Sequence, residues 1–298
     1  MSELAFREAR GLVAWLSREE GLRVLLGRNP LPGENVQAPE ESLAAAQRAL
    51  GERPIASIES PVLPDLPPVV AEVAGRTDVR AAFASMSWRV AMVDLRHVLS
   101  FQKVVVTEGL DERIAADVGT SIDQLVELCL PTTHAEVPSG AFTDADGHGF
   151  TLSSLNPNLR VAGGQVSSAE VSPNPDQPTQ KMTAITLLVF MGASYLQVAS
   201  YRGRYFVRDG NHRVAGLIRR GVFHVPCILI EAKTFEELVG NPAGVFTYEV
   251  LFSDRPPFVA DFWDDGVSRP ARQAAVRKVV RVRACLLYTS DAADDLTR

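Results

Sequence analysis

One stretch of the sequence decides the fold: residues 196–230 are LQVASYRGRYFVRDGNHRVAGLIRRGVFHVPCILI. Apolar and polar residues alternate in 196–200 and again in 204–207, and the tripeptide YRG at 201–203 lies between these two segments. Alternation with a period of two is typical of a half-buried strand, and a short loop containing glycine between two such segments indicates a hairpin. The first half of the stretch therefore predicts two antiparallel strands joined by a tight turn.

The second half of the stretch predicts a helix and then a buried strand. Apolar residues within 211–220 recur at spacings of three and four, which is typical of one face of a helix, and Gly221 predicts its C-terminal cap. The apolar segment 225–230 predicts a buried strand, with Pro226 near its start, where a missing N–H is tolerated. The order is thus hairpin, polar turn, helix and strand.

The hexapeptide RDGNHR, residues 208–213, joins the predicted hairpin to the predicted helix. The first turn of a helix has unpaired N–H groups and the positive end of the helix dipole, which together favour a bound anion. Gly210 allows the backbone to approach a phosphate closely, and Arg208 and Arg213 are able to hold its oxygens. We therefore predict a nucleotide- or phosphate-binding site made of Arg208, Gly210, Asn211 and Arg213.

Two further residues of this hexapeptide are candidates for catalysis. His212 is able to donate a hydrogen bond or to move a proton near neutral pH. Asp209 is able to cap the helix, to hold a cation or to orient His212. A purely structural interpretation stays open beside this one, because Asp-Gly is a common turn, Asn211 is a good helix cap, and the Arg213 side chain is able to extend to solvent.

The segment 204–215, RYFVRDGNHRVA, resembles the signature of the ParB/sulfiredoxin superfamily. Members of that superfamily place a Gly-x-(His/Arg)-Arg sequence between a hairpin and a helix and continue into a Val-Pro strand, as 225–226 does here. The segment 90–102 is similar to their opening strand and short helix. The resemblance implies an α+β (α/β-like) fold with a mixed sheet and flanking helices, and a nucleotide or phosphate bound at the N-terminus of the helix.

This sequence differs from the signatures of individual families in the superfamily, and the differences argue against some of their activities. Sulfiredoxins have a catalytic cysteine where this chain has Asn211, which argues against sulfinic-acid reduction. ParB partition proteins end their signature with an arginine that is Ala215 here, which argues against a CTP-driven clamp. The Asp-Gly-x-His-Arg form looks more like the free-serine kinases of the superfamily. Those use a glutamate base, whereas the matching place here has Gln102, and Glu108 is the nearest carboxylate.

The leading hypothesis is a nucleotide- or phosphate-binding protein in a process linked to DNA. The resemblance implies CTP, ATP, ADP or a phosphorylated small molecule as the ligand, with Mg²⁺ and DNA as further partners and a homodimer as the assembly. One alternative is a small-molecule kinase or phosphohydrolase that uses Asp209 and His212. Another is a non-catalytic interaction module. The histidines show no paired metal-ligand spacing, so we expect no metal site formed by protein ligands.

The composition excludes several other classes of protein. Of the 298 residues, 46% are apolar and 22% are charged, which is typical of a globular chain and not of a disordered one. The net charge of −6 excludes a basic coat for nucleic acid, although the locally basic segment 269–284 predicts either a helix that contacts nucleic acid or a solvated helix face. Three cysteines, the lack of a signal-peptide pattern and the lack of a long apolar segment favour a cytoplasmic protein without membrane contact.

The sequence pattern predicts four regions. Residues 1–84 are expected to be a helical N-terminal extension with a proline-rich linker. Residues 85–235 are the expected ParB/sulfiredoxin-like domain, with an insertion at about 131–180 because Gly, Ser, Pro and Asn dominate there. Residues 236–284 are a C-terminal extension. Residues 285–298 resemble a translated sequencing adapter, so we expect the natural chain to continue differently after 284.

Outside the deciding stretch, local patterns predict further elements. Residues 1–28 predict an amphipathic helix or helix pair, and 40–50 predict a second helix. The prolines of 54–68 predict a linker or an extended segment that wraps around the domain. Residues 115–128 predict a helix, whereas 182–191 are apolar throughout and fit a helix or a strand.

Overall fold

The computed structural model describes residues 6–110, 114, 117–119, 121–132, 141–143, 149–154, 159–171, 180–191, 194–239, 244–274 and 278–283. The chain forms two compact units, of which the first comprises 1–132 and 194–275 and the second comprises 133–193 and 276–298. The second unit thus includes residues 133–180 of the predicted insertion together with 181–193 and 276–298. The adapter-like residues 285–298 lie outside the described residues.

The described helices are short, apart from one of sixteen residues. They are α1 (Arg18–Leu26), α2 (Gln37–Glu52), α3 (Pro68–Glu72), α4 (Thr77–Ala82), α5 (Ile122–Cys129), α6 (Asn211–Arg219), α7 (Phe235–Val239) and α8 (Tyr248–Leu251). Turns of 3-10 helix cover Val13–Trp15, Val73–Gly75, Leu95–His97 and Val259–Trp263. Among these described helices, none combines the length and the apolar character needed to cross a bilayer.

The described strands form several separate sheets. They are β1 (Phe6–Gly11), β2 (Trp88–Asp94), β3 (Leu99–Ser100), β4 (Val104–Val106), β5 (Ala141–Thr143), β6 (Gly149–Ser154), β7 (Leu159–Val171), β8 (Gln180–Met191), β9 (Gln197–Tyr201), β10 (Arg204–Asp209), β11 (His224–Glu231), β12 (Arg269–Ala274) and β13 (Lys278–Arg283). Helices and mixed sheets occur in one chain, which confirms the α+β class.

The main sheet of the first unit has the strand order β2-β11-β9-β10-β3. Strand β11 runs antiparallel to β2 and parallel to β9, while β10 runs antiparallel to β9 and parallel to β3. Val198 and Phe206 on this sheet and Val214 and Leu217 on α6 are fully buried. Their burial removes the apolar face of each element from water, which is the main stabilising contribution to such a unit.

The structure confirms the order predicted for residues 196–230. Strands β9 and β10 are joined by Arg202 and Gly203, both at positive φ (49° and 75°), as a two-residue hairpin turn requires. Helix α6 and strand β11 follow. Pro226 is tolerated because pairing of β11 with β9 begins only at Ile228, whose N–H donates to the Leu196 carbonyl. The missing N–H of Pro226 would face the same side, where β9 no longer runs beside it.

The helix predicted within 1–28 is confirmed at α1 (Arg18–Leu26), but two other parts of the chain predicted as helix are strands because distant strands pair with them. Residues 6–11 form β1, which lies between β12 and β4 in a second sheet of the first unit. Its buried positions Ala9 and Gly11 are two residues apart, as in a strand. The prediction missed this pattern because the apolar residues that follow recur at helical spacing. The described residues of the basic segment 269–284 form β12 and β13 and contain no helix. Residues 1–84 fall within the first unit.

Three other predictions fare differently. The helix at 40–50 is confirmed as part of α2. The segment 54–68 is extended where it meets β2, since the Asp94 N–H donates to the Pro61 carbonyl at 2.8 Å. The helix predicted from residue 115 begins only at Ile122 in the described part of the chain. Ser121 caps it, with its hydroxyl accepting the Asp123 N–H at 3.2 Å.

The second unit is built from β-strands in its described residues. Strands β13, β6 and β5 form one antiparallel sheet, and β7 and β8 form a long hairpin. The ambiguous segment 182–191 lies in β8 and is therefore a strand, because pairing along the whole of β7 satisfies its backbone groups. The described parts of the predicted insertion at 131–180 form the strands β5, β6 and β7.

Candidate functional site

The junction between β10 and α6 is a tight turn that only glycine fits. Gly210 is the N-cap of α6 and has the left-handed conformation, with φ 92°. A Cβ atom at this position would lie 2.8 Å from Cδ1 of Leu196, closer than side chains tolerate. The positive φ strains any residue with a side chain, and a Cβ atom would also displace the end of the Leu196 side chain.

The turn leaves the start of α6 without a side-chain cap. The first intrahelical hydrogen bond runs from the Val214 N–H to the Gly210 carbonyl at 2.9 Å. The N–H groups of the residues before Val214 belong to the first turn, which has no intrahelical acceptors. Asp209 stabilises the turn itself, because its Oδ1 accepts the Gly210 N–H at 2.7 Å. One predicted catalytic residue thus has a structural role at this turn.

Arg213 lies partly buried beside this turn. Its Nη1 donates to the Cys129 carbonyl at 3.4 Å and lies 3.8 Å from the position that a Gly210 Cβ would occupy. Among the described residues, no carboxylate forms an ion pair with the Arg213 guanidinium. Burial lowers the pKa of Arg213, and the electrostatic attraction of Cys129 and Asp209 offsets this only in part. Because arginine stays protonated in proteins, the site holds a poorly compensated positive charge.

Arg208 adds a second cation of the same kind at the end of β10. Its Nη1 lies 3.3 Å from Sδ of Met86, and no described carboxylate forms an ion pair with it. Burial lowers the pKa of Arg208, with opposing contributions from Asp209 and Glu237. Arg208 and Arg213 thus lie on the strand and the helix that flank the turn, as the sequence predicts. Both guanidinium groups are partly buried, and neither has a described ion-pair partner.

Asn211 and His212 complete the hexapeptide. Asn211 is the first residue of α6 and only 7% of it is exposed. Its Oδ1 is buried and accepts no hydrogen bond from the described part of the chain. A buried acceptor without a donor is unfavourable, so this atom indicates a missing partner. His212 lies in the first turn of α6 and is partly exposed.

The carboxylate expected from the kinase-like pattern is engaged elsewhere. Glu108 forms an ion pair with Arg7, with 3.7 Å between Oε2 and Nε. Gln102 pairs with Val245 in a short bridge between loops. Neither residue has a described contact with the RDGNHR hexapeptide, so the geometry gives no base for phosphoryl transfer from these two positions.

Sequence reasoning missed the groups that surround the hexapeptide from other elements. The Cys129 carbonyl at the end of α5 accepts both the Leu196 N–H (2.7 Å) and Arg213 Nη1. Met86 reaches Arg208 from a loop more than a hundred residues earlier. A main-chain carbonyl is present at every residue, so no sequence signal could single out Cys129. Its thiol is fully buried, and burial raises the pKa of Cys129 to about 12.

The described residues contain no cluster of three or more His, Cys, Asp or Glu side chains able to hold a metal ion. A scan of protein-family models matches none to this chain, and neither curated proteins nor solved structures give a match. The residues of the hexapeptide themselves indicate which ligands fit here. The site combines the start of a helix, two partly buried guanidinium groups and a tight glycine turn, all of which favour an oxyanion.

Proposed function

We propose that this chain is a phosphate- or nucleotide-binding protein of the ParB/sulfiredoxin type, with the phosphate held at the start of α6. One observation carries the proposal: Arg213 is partly buried beside the Gly210 turn at the uncapped start of α6, Arg208 is partly buried at the end of β10, and no described carboxylate forms an ion pair with either. Removing a guanidinium from water is costly unless a negative partner compensates it. A phosphate supplies that partner and accepts the N–H groups of the first helical turn.

The geometry favours binding over phosphoryl transfer. Asp209 already accepts the Gly210 N–H, and Glu108 pairs with Arg7. His212 lies in the first helical turn, where it would adjoin a phosphate and donate a hydrogen bond to it. The order hairpin, glycine turn, helix and strand supports the superfamily resemblance. A nucleotide such as CTP, ATP or ADP, with Mg²⁺ on its phosphates, is the ligand that the resemblance implies, and DNA would be a partner of the loaded protein.

Calorimetric titration with CTP, ATP, ADP and inorganic phosphate tests the proposal. We expect at least one of them to bind and Arg213→Ala to weaken that binding by about tenfold to a hundredfold, as for a charge-assisted hydrogen bond. Arg219→Ala is the matched control, because it removes the same charge from the other end of α6, where Arg219 lies 5.3 Å from the Trp263 ring. We expect it to change the affinity less than about twofold.

Two results would contradict this function. Lack of binding by every ligand, or binding that Arg213→Ala leaves unchanged, would remove the phosphate site and favour the interaction module. Turnover of the nucleotide by the wild type, abolished by His212→Ala, would replace simple binding with the kinase or phosphohydrolase alternative.

A further inference from the structure

We infer that this site takes its phosphate in the singly protonated form, with the P–OH group donating a hydrogen bond to Oδ1 of Asn211. The inference rests on the proposed function and adds a specificity to it. A site of this kind discriminates a phosphate ester, which is able to carry a proton, from a sulfate ester of nearly the same shape, which carries none near neutral pH.

The orphaned acceptor of Asn211 is the observation behind this inference. Asn211 is more than nine-tenths buried, and its Oδ1 has no described donor. The residue is the first of α6, a helix of nine residues, and directly follows the Gly210 turn. A buried amide oxygen left without a donor loses its hydration and gains nothing in return. A donor brought by the ligand would restore the lost hydrogen bond.

Asn211 Oδ1 is a hydrogen-bond acceptor, whereas the other groups assigned to the site are donors. The first-turn N–H groups, Arg208 and Arg213 are all donors, and any oxyanion is able to satisfy them. A fully ionised phosphate oxygen placed against Oδ1 would set two groups of lone pairs facing each other, which is unfavourable. A protonated phosphate oxygen removes this conflict and donates to the amide. Phosphate and sulfate therefore differ at this one contact.

Other titratable groups near Asn211 act on both kinds of ligand alike. They are Asp209 on β10, His212 and Arg213 on α6, and Cys129 at the end of α5. A positive charge on any of these groups would strengthen the binding of either anion, and a negative charge would weaken it. A phosphate ester and a sulfate ester of equal charge respond alike to these nearby charges. The ratio of their affinities therefore reports on the contact with Asn211 alone.

Phenyl phosphate and phenyl sulfate are suitable probes, since the second pKa of a phosphate monoester is about 6. At about pH 5 both esters carry a single negative charge, and only the phosphate has a P–OH group. We expect the wild type to bind phenyl phosphate at least about tenfold more tightly than phenyl sulfate at that pH, as for one buried hydrogen bond. The comparison is made at about pH 5 because the two esters carry equal charge there.

Two substitutions assign the selectivity to Asn211. Asn211→Ala removes the acceptor, and Asn211→Leu removes it while filling a similar volume, so at least one variant should keep the fold. In both we expect the phosphate-to-sulfate ratio to fall close to one. Arg213→Ala is the control, because it should weaken both esters and leave their ratio unchanged.

The outcomes separate the inference from the proposed function. If neither ester binds the wild type, both are wrong. If both esters bind and Arg213→Ala weakens both, but the wild-type ratio is near one or persists in folded Asn211 variants, the phosphate site stands and the role of Asn211 is wrong.

Discussion

Two pairs of arginines in the first unit have opposite surroundings. At the start of α6, Arg208 and Arg213 have no described carboxylate partner. In the segment 258–268, which we call the latch, aspartates meet Arg10 and Arg53. We infer from this difference that Arg10 and Arg53 stabilise the tertiary structure. Arg208 and Arg213 are instead available to bind an anionic ligand.

The latch is dense in contacts. Arg53 Nη1 lies 2.9 Å from Oδ1 of Asp261, and Arg53 also pairs with Asp264. Asp261 is 8% exposed and accepts the Phe258 N–H at 2.8 Å. Burial raises the pKa of Asp261 despite the neighbouring Arg53. Because each buried charge has a partner, removing either one leaves the other uncompensated.

The latch also supports the helix that bears the site. Trp263 donates its indole N–H to the Ala215 carbonyl of α6 at 2.9 Å. The guanidinium of Arg10 lies 5.6 Å from the Trp263 ring centre, and that of Arg219 lies 5.3 Å from it. The latch thus stabilises α6 through paired charges and an aromatic ring, while the first turn of the helix keeps its charges without described ion pairs.

The largest expected effect is on stability, from breaking the buried pair of the latch. Asp261→Ala should lower the free energy of unfolding by about 2–4 kcal/mol, because Arg53 loses a buried partner and the Phe258 N–H loses its acceptor. Urea denaturation measures this. Asp265→Ala is the control: its side chain is 86% exposed, so a loss below about 1 kcal/mol is expected. Equal losses in the two variants would contradict the assigned role of the latch.

An intermediate effect is expected at the glycine turn of the site. Gly210→Ala should cost about 2 kcal/mol, because it combines a positive φ with a close approach to Leu196. Gly203→Ala shares the positive φ but meets nothing within 4 Å, so it should cost only about 1 kcal/mol. Thermal unfolding of the two variants compares them directly. A smaller loss for Gly210→Ala than for Gly203→Ala would argue against the tight packing of this turn.

The smallest stability effect should come from the site arginine itself. Without ligand, Arg213→Ala should change the free energy of unfolding by less than about 1 kcal/mol in either direction, because no described ion pair is lost and a desolvated charge is removed. Arg53→Ala, in contrast, should destabilise by about 3 kcal/mol. Denaturant titrations of both variants in phosphate-free buffer make the comparison. A loss for Arg213→Ala as large as that for Arg53→Ala would mean that Arg213 is structural.

Local patterns predicted the elements around the site well and those at the edges of the first unit poorly. The hairpin, α6 and β11 follow from alternation, helical spacing and glycine positions within 35 consecutive residues. Strand β1 did not follow, because it depends on pairing with β12, more than 250 residues away. At the site, residues 208–213 were predictable as a group, whereas the contacts with Met86 and the Cys129 carbonyl were not.

The sequence by itself determined the α+β class, the strand–turn–helix–strand unit of residues 196–230, and the set of charged and polar groups at the start of α6. These are local properties, since spacing and glycine conformation act within one turn or one hairpin. Tertiary structure alone decided which arginines meet carboxylates, and which polar atom, Asn211 Oδ1, is buried without a described donor. Ion pairs and hydrogen bonds of this kind join elements from distant parts of the chain, so a local sequence pattern cannot predict them.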